Sequence, residues 1–505
     1  MGAGSYIYSQ TMSLLHALSS REMWERFYEY KISLVSQGNF EKELRMFIDR
    51  EAYLPLCRKY GWVTGTPDYA RDDTGRPART ETAGVAAGEI AQTEALVDHA
   101  RKTEQTEAEE KDRLAKFPLP RRAVISKLDS AKKRIVYTYP EPENTVLKML
   151  TWLLLRKYDP LFSDNLFSFR PGRSAKDAIR LLRSVPDIRN AYSYKADISN
   201  YFNSIPVEKL IPMLEEALAD DPELLSFLCG LLEEPLVLES GKGKGTAGWR
   251  RDPGGDPGAA SSAEPKGIRT IREEKGIMAG TPLSAFYANL YLRDLDLSFA
   301  KAGVLYARYS DDMILFAESR EEAERHAEML RAFLDEKGLK LNPEKEEYRT
   351  PEEGWVFLGF SYRDGIIDIA PASVRKIKAK MRRKARALRR WADRNGVDPE
   401  RAAAAFIRVF NRKLLGPGPD TDLTWSRWFF PVINTTDSLA EIDHYAQECI
   451  RYLVSGTRTK ARYNVRYQDI RALGFRSLVH AYYEGRNAED CVRSGYEETN
   501  STDTL

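Results

Sequence analysis

The 505-residue sequence predicts an α+β fold, and three observations carry that expectation. The middle of the chain alternates strand-like and helix-like runs in the order β-α-α-β-β-α, which suits a ferredoxin-like split βαβ layer with helices on one face of an antiparallel sheet. From Pro371 onward nearly everything reads helical. The length is several times that of one domain, so the chain divides into lobes and buries a large core.

Residues 1–60 carry apolar positions at mixed three and four spacing (Leu14, Leu15, Leu18, Trp24, Phe27, Tyr28), the pattern of a helical N-terminal lobe. Residues 61–116 turn to Gly, Thr, Ala, Asp and Glu, as expected of a connector. Within the next stretch, 117–190, ISKLDSAKKR and SFRPGRSAKDAI stand out. Residues 191–362 hold the strand AYSYKADI, the helix VEKLIPMLEEAL, a single helix FYANLYLRDLDLSFA, the strands VLYARY and MILFAE, and the amphipathic helix EEAERHAEMLRAFLDEKG. A segment at 239–275, GKGKGTAGWRRDPGGDPGAASSAEPKG at its centre, is too rich in Gly and Pro for a buried element and reads as a surface insertion. Residues 363–505 form the helical C-terminal part.

The formal net charge of +2 conceals uneven placement. Arg375, Lys376, Lys378, Lys380, Arg382, Arg383, Lys384, Arg386, Arg389 and Arg390 follow one another with no acidic residue between them, while EQTEAEEKD at Glu104–Asp112 is acidic. Such a run faces water or a polyanion, and phosphate backbones lead the candidates. The dispersed cysteines and histidines lack metal or disulfide spacing, which points to a reducing cytoplasm. No run is apolar and long enough to span a bilayer, and Met1–Ser20 lacks a leader pattern, so no membrane partner is expected. GKGKGT lacks the GxxxxGK[ST] spacing of a phosphate loop, which excludes that nucleotide-hydrolase class.

The chemistry concentrates at Tyr309-Ser310-Asp311-Asp312, a hairpin tip between two apolar strands. Aspartate at a tip is ordinary turn chemistry, but a third carboxylate, Asp197, ends the strand YSYKAD. In a split βαβ sheet that strand lies beside the hairpin and three carboxylates converge. Hard divalent cations take oxygen ligands, and two of them about 4 Å apart clamp both oxygens of an in-line phosphoryl displacement.

YSDD and ADISNYFNSIP resemble the catalytic signature and first palm motif of reverse transcriptases, and the motifs SFRPGRSAKDAI, AGTPLSAFYANLYL, GLKLNPEK and FLGF occur in that family's order. The resemblance implies a right-hand polymerase with fingers (117–190), a ferredoxin-like palm (191–362) and a helical thumb, which with the C-terminal region spans 363–505. It implies an RNA-directed DNA polymerase, a nucleotidyltransferase that takes dNTPs and template RNA to a DNA product. Asp197, Asp311 and Asp312 would be catalytic and, with Ile198, would bind two Mg2+ ions, for which Mn2+ could substitute. Lys127 and Arg134 fall on the basic positions of a fingers hairpin that closes on the triphosphate, the backbone amides of Asn200 and Tyr201 hold the same phosphates, and Gly280 matches an invariant glycine. Ala279 departs from the glutamine many members carry there. Phe202 stands where the family excludes a 2′-hydroxyl, and Lys345 or Lys340 would protonate the leaving pyrophosphate. Phe357, Leu358 and Gly359 correspond to the primer grip, and Arg170, Arg173, Lys376, Lys380, Arg383 and Lys384 are candidate nucleic-acid contacts. Trp391, Trp425 and Trp428 read as core of the helical lobe.

MWERFYEYK, YPEPENTVLKMLTWLL, MAGTPLS and RALGFRSLVHAYYEG resemble the bacterial unknown-group, defence-associated class, whose members act against phage, commonly with a non-coding RNA. No zinc-binding or endonuclease segment of intron proteins follows the thumb. Template-independent, protein-primed synthesis as in abortive-infection members, non-catalytic RNA binding, and homo-oligomerisation stay open.

Overall fold

The computed structural model describes residues 13–34, 39–63, 115–126, 133–240, 268–416 and 425–486. Lys127, most of the 61–116 connector and the centre of the Gly/Pro-rich insertion lie outside them. In chain order the strands are β1 (Arg121–Ser126), β2 (Lys133–Thr138), β3 (Tyr192–Asp197), β4 (Leu236–Ser240), β5 (Ile268–Arg272), β6 (Tyr306–Tyr309), β7 (Asp312–Ala317), β8 (Glu347–Arg349), β9 (Trp355–Phe357), β10 (Phe360–Arg363) and β11 (Ile366–Ile369). The chain forms two compact units, one of Met1–Phe27, Glu43–Leu153 and Leu214–Ser284, the other of Tyr28–Lys42, Leu154–Met213 and Ala285–Leu505.

The first unit joins N-terminal helices to a four-stranded sheet of order β2-β1-β4-β5. Its helical core gathers Trp24, Phe27 and Tyr53, all buried, with the Trp24 indole donating to the Leu18 carbonyl (2.8 Å). Asp221 caps the helix Pro222–Glu233 by accepting from the Leu224 amide (3.1 Å), and its second oxygen accepts from the Leu14 amide (2.8 Å). One carboxylate thereby satisfies donors at the starts of two helices. In the sheet, Arg122 of β1 reaches Glu239 of β4 (2.8 Å) and Glu273 just past β5 (2.9 Å), so one guanidinium ties three consecutive chain paths.

In the second unit a four-stranded antiparallel sheet has the order β6-β7-β3-β8. The first of these strands in sequence lies between the third and fourth, which is the ferredoxin-like arrangement. The helix Arg320–Glu336, capped by Ser319 accepting from the Glu322 amide (3.2 Å), packs Ala323, Ala327, Leu330 and Leu334 inward. A three-stranded meander β9-β10-β11 follows, then the helices of the C-terminal part, and one continuous apolar core runs from Phe167 through Ile314, Phe360 and Phe406 to Tyr482.

Two expectations are corrected here. FYANLYLRDLDLSFA is not one helix but two, Ser284–Tyr291 and Arg293–Lys301, because Leu292 leaves helical geometry at ψ +12°. Trp391 is 46% exposed rather than core: the helix Pro371–Asn395 buries Val374, Met381, Ala385 and Ala392, and Trp391 lies one residue off that stripe. Trp425 and Trp428 do pack against the core. Among the described residues no helix is long and apolar enough to cross a membrane.

Candidate active site

β6 and β7 form a tight hairpin in which Tyr309 pairs with Asp312, leaving Ser310 and Asp311 as its two loop residues. Ser310 has φ +61°, the left-handed region that two-residue hairpin loops demand and that a serine adopts only at some cost. Asp312 opposes Asp197 in the β3–β7 register, and the Ile198 amide donates to the Asp311 carbonyl (3.2 Å). On the other side of β3 the Asn342 amide donates to the Asp197 carbonyl (2.8 Å) and the Ser199 amide to the Lys340 carbonyl (2.8 Å). The backbones of Asp197, Asp311 and Asp312 are thus locked together at one end of the sheet.

Asp197 is buried, and its Oδ2 takes the Lys345 ammonium at 2.5 Å. Lys345 rides on the short turn Pro343–Lys345, held by Asn342 Oδ1 accepting from the Glu344 amide (3.2 Å). The Lys340 side chain is exposed, and its carbonyl serves Ser199 instead. Burial pushes the Asp312 carboxyl above the usual carboxylate range, and the like charges of Asp311 and Asp197 push the same way, against Lys195 and Lys345. Among the described residues no three or more acidic, histidine or cysteine side chains stand together as a preformed metal cluster, and the Asp197 side chain is turned to Lys345.

A buried polar layer supports this hairpin. Arg308, fully buried, pairs with fully buried Asp296 (2.5 Å from NH2 to Oδ2), donates to the Ser310 carbonyl (3.2 Å) and to the Asn289 carbonyl (3.4 Å). Tyr306 adds a hydroxyl to Asp296 (3.2 Å). Burial opposes the Arg308 charge, yet attraction and hydrogen bonding from Asp296 hold the guanidinium above even its ordinary range. Ser168 Oγ accepts from the Ser310 amide (2.9 Å) and donates to Asn289 Oδ1 (3.3 Å), whose amide returns a bond to the Ser168 carbonyl (2.9 Å). Both backbone groups of the strained Ser310 are therefore satisfied, which offsets its conformational cost. Residue-type patterns did not single out Ser168, Asn289, Asp296 or Arg308. The available signal was a charged residue at the centre of the otherwise apolar strand YARY.

The remaining candidates sort clearly. Asn200 takes φ +49° and precedes the short helix Tyr201–Ser204 without a side-chain capping bond, and neither its amide nor that of Tyr201 has an acceptor among the described residues. The Tyr201 hydroxyl is buried on the Ala288 carbonyl (2.5 Å), while the Phe202 ring is half-buried beside it. Leu358 and Gly359 form the two-residue β9–β10 loop, both with positive φ, and Phe357 is core. In the first unit, Arg134 is exposed on β2 opposite Ile125. Gly280 has φ +101°, and a Cβ there would sit 3.0 Å from the Tyr137 carbonyl, so its need for glycine comes from contact with β2. Arg170 is buried against Asp159 (2.7 Å) and the Ser163 carbonyl (2.6 Å), which commits its guanidinium within the fold, while Arg173 pairs at the surface with the exposed Asp164. Lys376, Lys380, Arg383 and Lys384 stand exposed on the helix Pro371–Asn395.

Residues 125–362, which hold Asp197, Asp311, Asp312 and Lys345, match the reverse transcriptase (RNA-dependent DNA polymerase) family. Over 105 residues, 21% of this chain, the sequence is 31% identical to an uncharacterized 91 kDa protein in the cob intron of Schizosaccharomyces pombe, of which it covers 13%. Similar solved structures include apo telomerase from Candida tropicalis (10% identity, 68% of this chain, 58% of that one, TM-score 0.39). Telomerase from Candida albicans in complex with a TWJ fragment of telomeric RNA is another (12% identity, 73% of this chain, 64% of that one, TM-score 0.36). The chain spans less than two thirds of the length of each of these relatives. Within the matched segment, the YSDD tip and the end of β3 are the parts whose geometry bears on chemistry.

Proposed function

We propose that this chain is an RNA-directed DNA polymerase that adds deoxynucleotides by phosphoryl transfer at Asp197, Asp311 and Asp312. The observation that carries the reading is the β3–β7 register that sets Asp197 against Asp312 with Asp311 at the adjoining tip, inside a segment matching the reverse transcriptase family. The donors are carboxylate and backbone oxygens, the set that hard divalent cations such as Mg2+ prefer. Asp197, Asp311 and the Ile198 backbone would hold the two ions, with Asp312 beside them, and bound metal would supply Lewis-acid stabilisation of the attacking and leaving oxygens. The chain's own groups do the rest. The amides of Asn200 and Tyr201 offer donors to the triphosphate, the Phe202 ring stands against a 2′-hydroxyl, and the Lys345 ammonium is the proton source for departing pyrophosphate. Purified Asp311→Asn should lose Mg2+-dependent dNTP incorporation on an RNA template while keeping its melting temperature. Incorporation within tenfold of the parent's, roughly the loss of 1.4 kcal/mol of transition-state stabilisation, would refute the assignment.

The biological role we assign is antiphage defence with a structured non-coding RNA as template, supported by resemblance to the defence-associated class. One dominant RNA copurifying with the chain, also recovered as complementary DNA, is the expected result; a random RNA sample would overturn it. The similarity to a protein in the cob intron favours a second reading, an intron-associated reverse transcriptase. Recovery of intron RNA as the bound species would select that one.

A further inference from the structure

A cavity of about 270 Å³ lies away from the aspartates, between the helix Pro371–Asn395, the helix Asp437–Ser455 and the segment that follows it. Four arginines and one glutamate line it. The glutamate, Glu448, is already neutralised by Arg462 (2.6 Å) and by Arg451 (3.1 Å). The other three lining arginines have no acidic partner among the described residues. Arg382 and Arg386 are four residues apart and so share one face of their helix. Arg458 reaches in from the opposite wall, its guanidinium over the Tyr452 ring at 5.0 Å, which fixes its approach. Tyr445 and Tyr452 line it too, and Lys378 lies over the Tyr445 ring at 5.0 Å.

We propose that this cavity binds one phosphate-bearing nucleotide, its phosphate held by Arg382, Arg386 and Arg458 and the rest of it lying beside Tyr445 and Tyr452. Guanidinium forks match phosphate geometry bidentately. The volume lies just under the roughly 300–1,000 Å³ usual for small-molecule sites, which fits a single nucleotide and is too small for a folded peptide segment. The nucleotide arrives either free or as one unit of a single-stranded RNA. This binding does not depend on polymerase activity and is measured without divalent metal or dNTPs.

The experiment is equilibrium binding of the full chain to AMP, by calorimetry, and to a labelled 5′-phosphorylated single-stranded oligoribonucleotide, by anisotropy, at fixed ionic strength. Arg382→Gln/Arg386→Gln should weaken binding about a hundredfold or more, since two charge-assisted contacts are lost. Arg390→Gln/Arg394→Gln removes equal charge from the same helix outside the cavity and should weaken it only slightly. Selective loss with AMP assigns a free nucleotide; selective loss with the oligonucleotide alone assigns an RNA strand. Equal loss in both double variants, competition by polyglutamate as effective as by RNA, or no binding of either probe would overturn the proposal. Should the first double variant fail to fold, Arg458→Gln, which lies outside both helices, repeats the test.

Discussion

Beneath the YSDD hairpin, Arg308 is fully buried with every guanidinium nitrogen facing an acceptor, whereas Arg382 and Arg386 stand at the surface with no acidic partner among the described residues. The same side chain does opposite work in the two places. A buried charge must be paired, so it fixes neighbouring backbone and becomes structure. An exposed, unpaired charge contributes little to folding and stays available to a ligand. Arg170 shows how far the distinction overrides sequence position: it is a candidate nucleic-acid contact by sequence, yet its pairing with Asp159 makes it part of the first kind.

The comparison is broken most severely by Arg308→Met, which leaves Asp296 buried and uncompensated. A loss of about 3–5 kcal/mol in unfolding free energy is expected from denaturant titration. Arg308→Met/Asp296→Leu should recover most of that stability but not polymerase activity, because the Ser310 carbonyl has lost its donor. Full activity in the double variant would show that the pair merely fills space.

Lys275 sharpens the rule from the other side, as a buried ammonium with no hydrogen-bond partner among the described residues. Burial pulls its pKa from 10.5 down to about 8, against the attraction of Glu234. Between those two values the unfolded chain binds the proton and the folded chain does not, so stability contributed by this site rises with pH from about 8 to 10.5 and the penalty is complete below 8. Lys275→Met should flatten that rise and stabilise the protein at neutral pH by about 3 kcal/mol. Melting curves across pH 7–11 read both effects, and an unchanged slope would disprove them.

Ser168→Ala should cost about 1–3 kcal/mol by leaving the Ser310 amide without its acceptor, and it should lower the turnover rate more than it raises KM for dNTP, since it loosens the tip rather than the groups that hold the nucleotide. The smallest stability effect belongs to Lys376→Gln/Lys380→Gln, within about 0.5 kcal/mol. Its signature is instead a shallower dependence of RNA affinity on salt, by about one unit of log–log slope for each phosphate that is no longer neutralised. A slope identical to the parent's would remove these lysines from the interface.

The sequence by itself determined the parts that depend on near neighbours. The alternation of YSYKAD, YARY and MILFAE, the helical period after Pro371, the paired aspartates of YSDD and the basic run are all properties of a few consecutive residues. Which lysine meets Asp197, and what lies under the hairpin, only the tertiary structure decided. Lys345 and Asp197 are 148 residues apart, Ser168 and Ser310 are 142, and Ser168 and Asn289 are 121. No periodicity spans such distances. These pairings exist because the sheet order β6-β7-β3-β8 brings distant strand ends to one edge, and burial there forces every polar group to find a partner. The same constraint, not local composition, turned Arg170 inward and gave Gly280 its reason to be glycine.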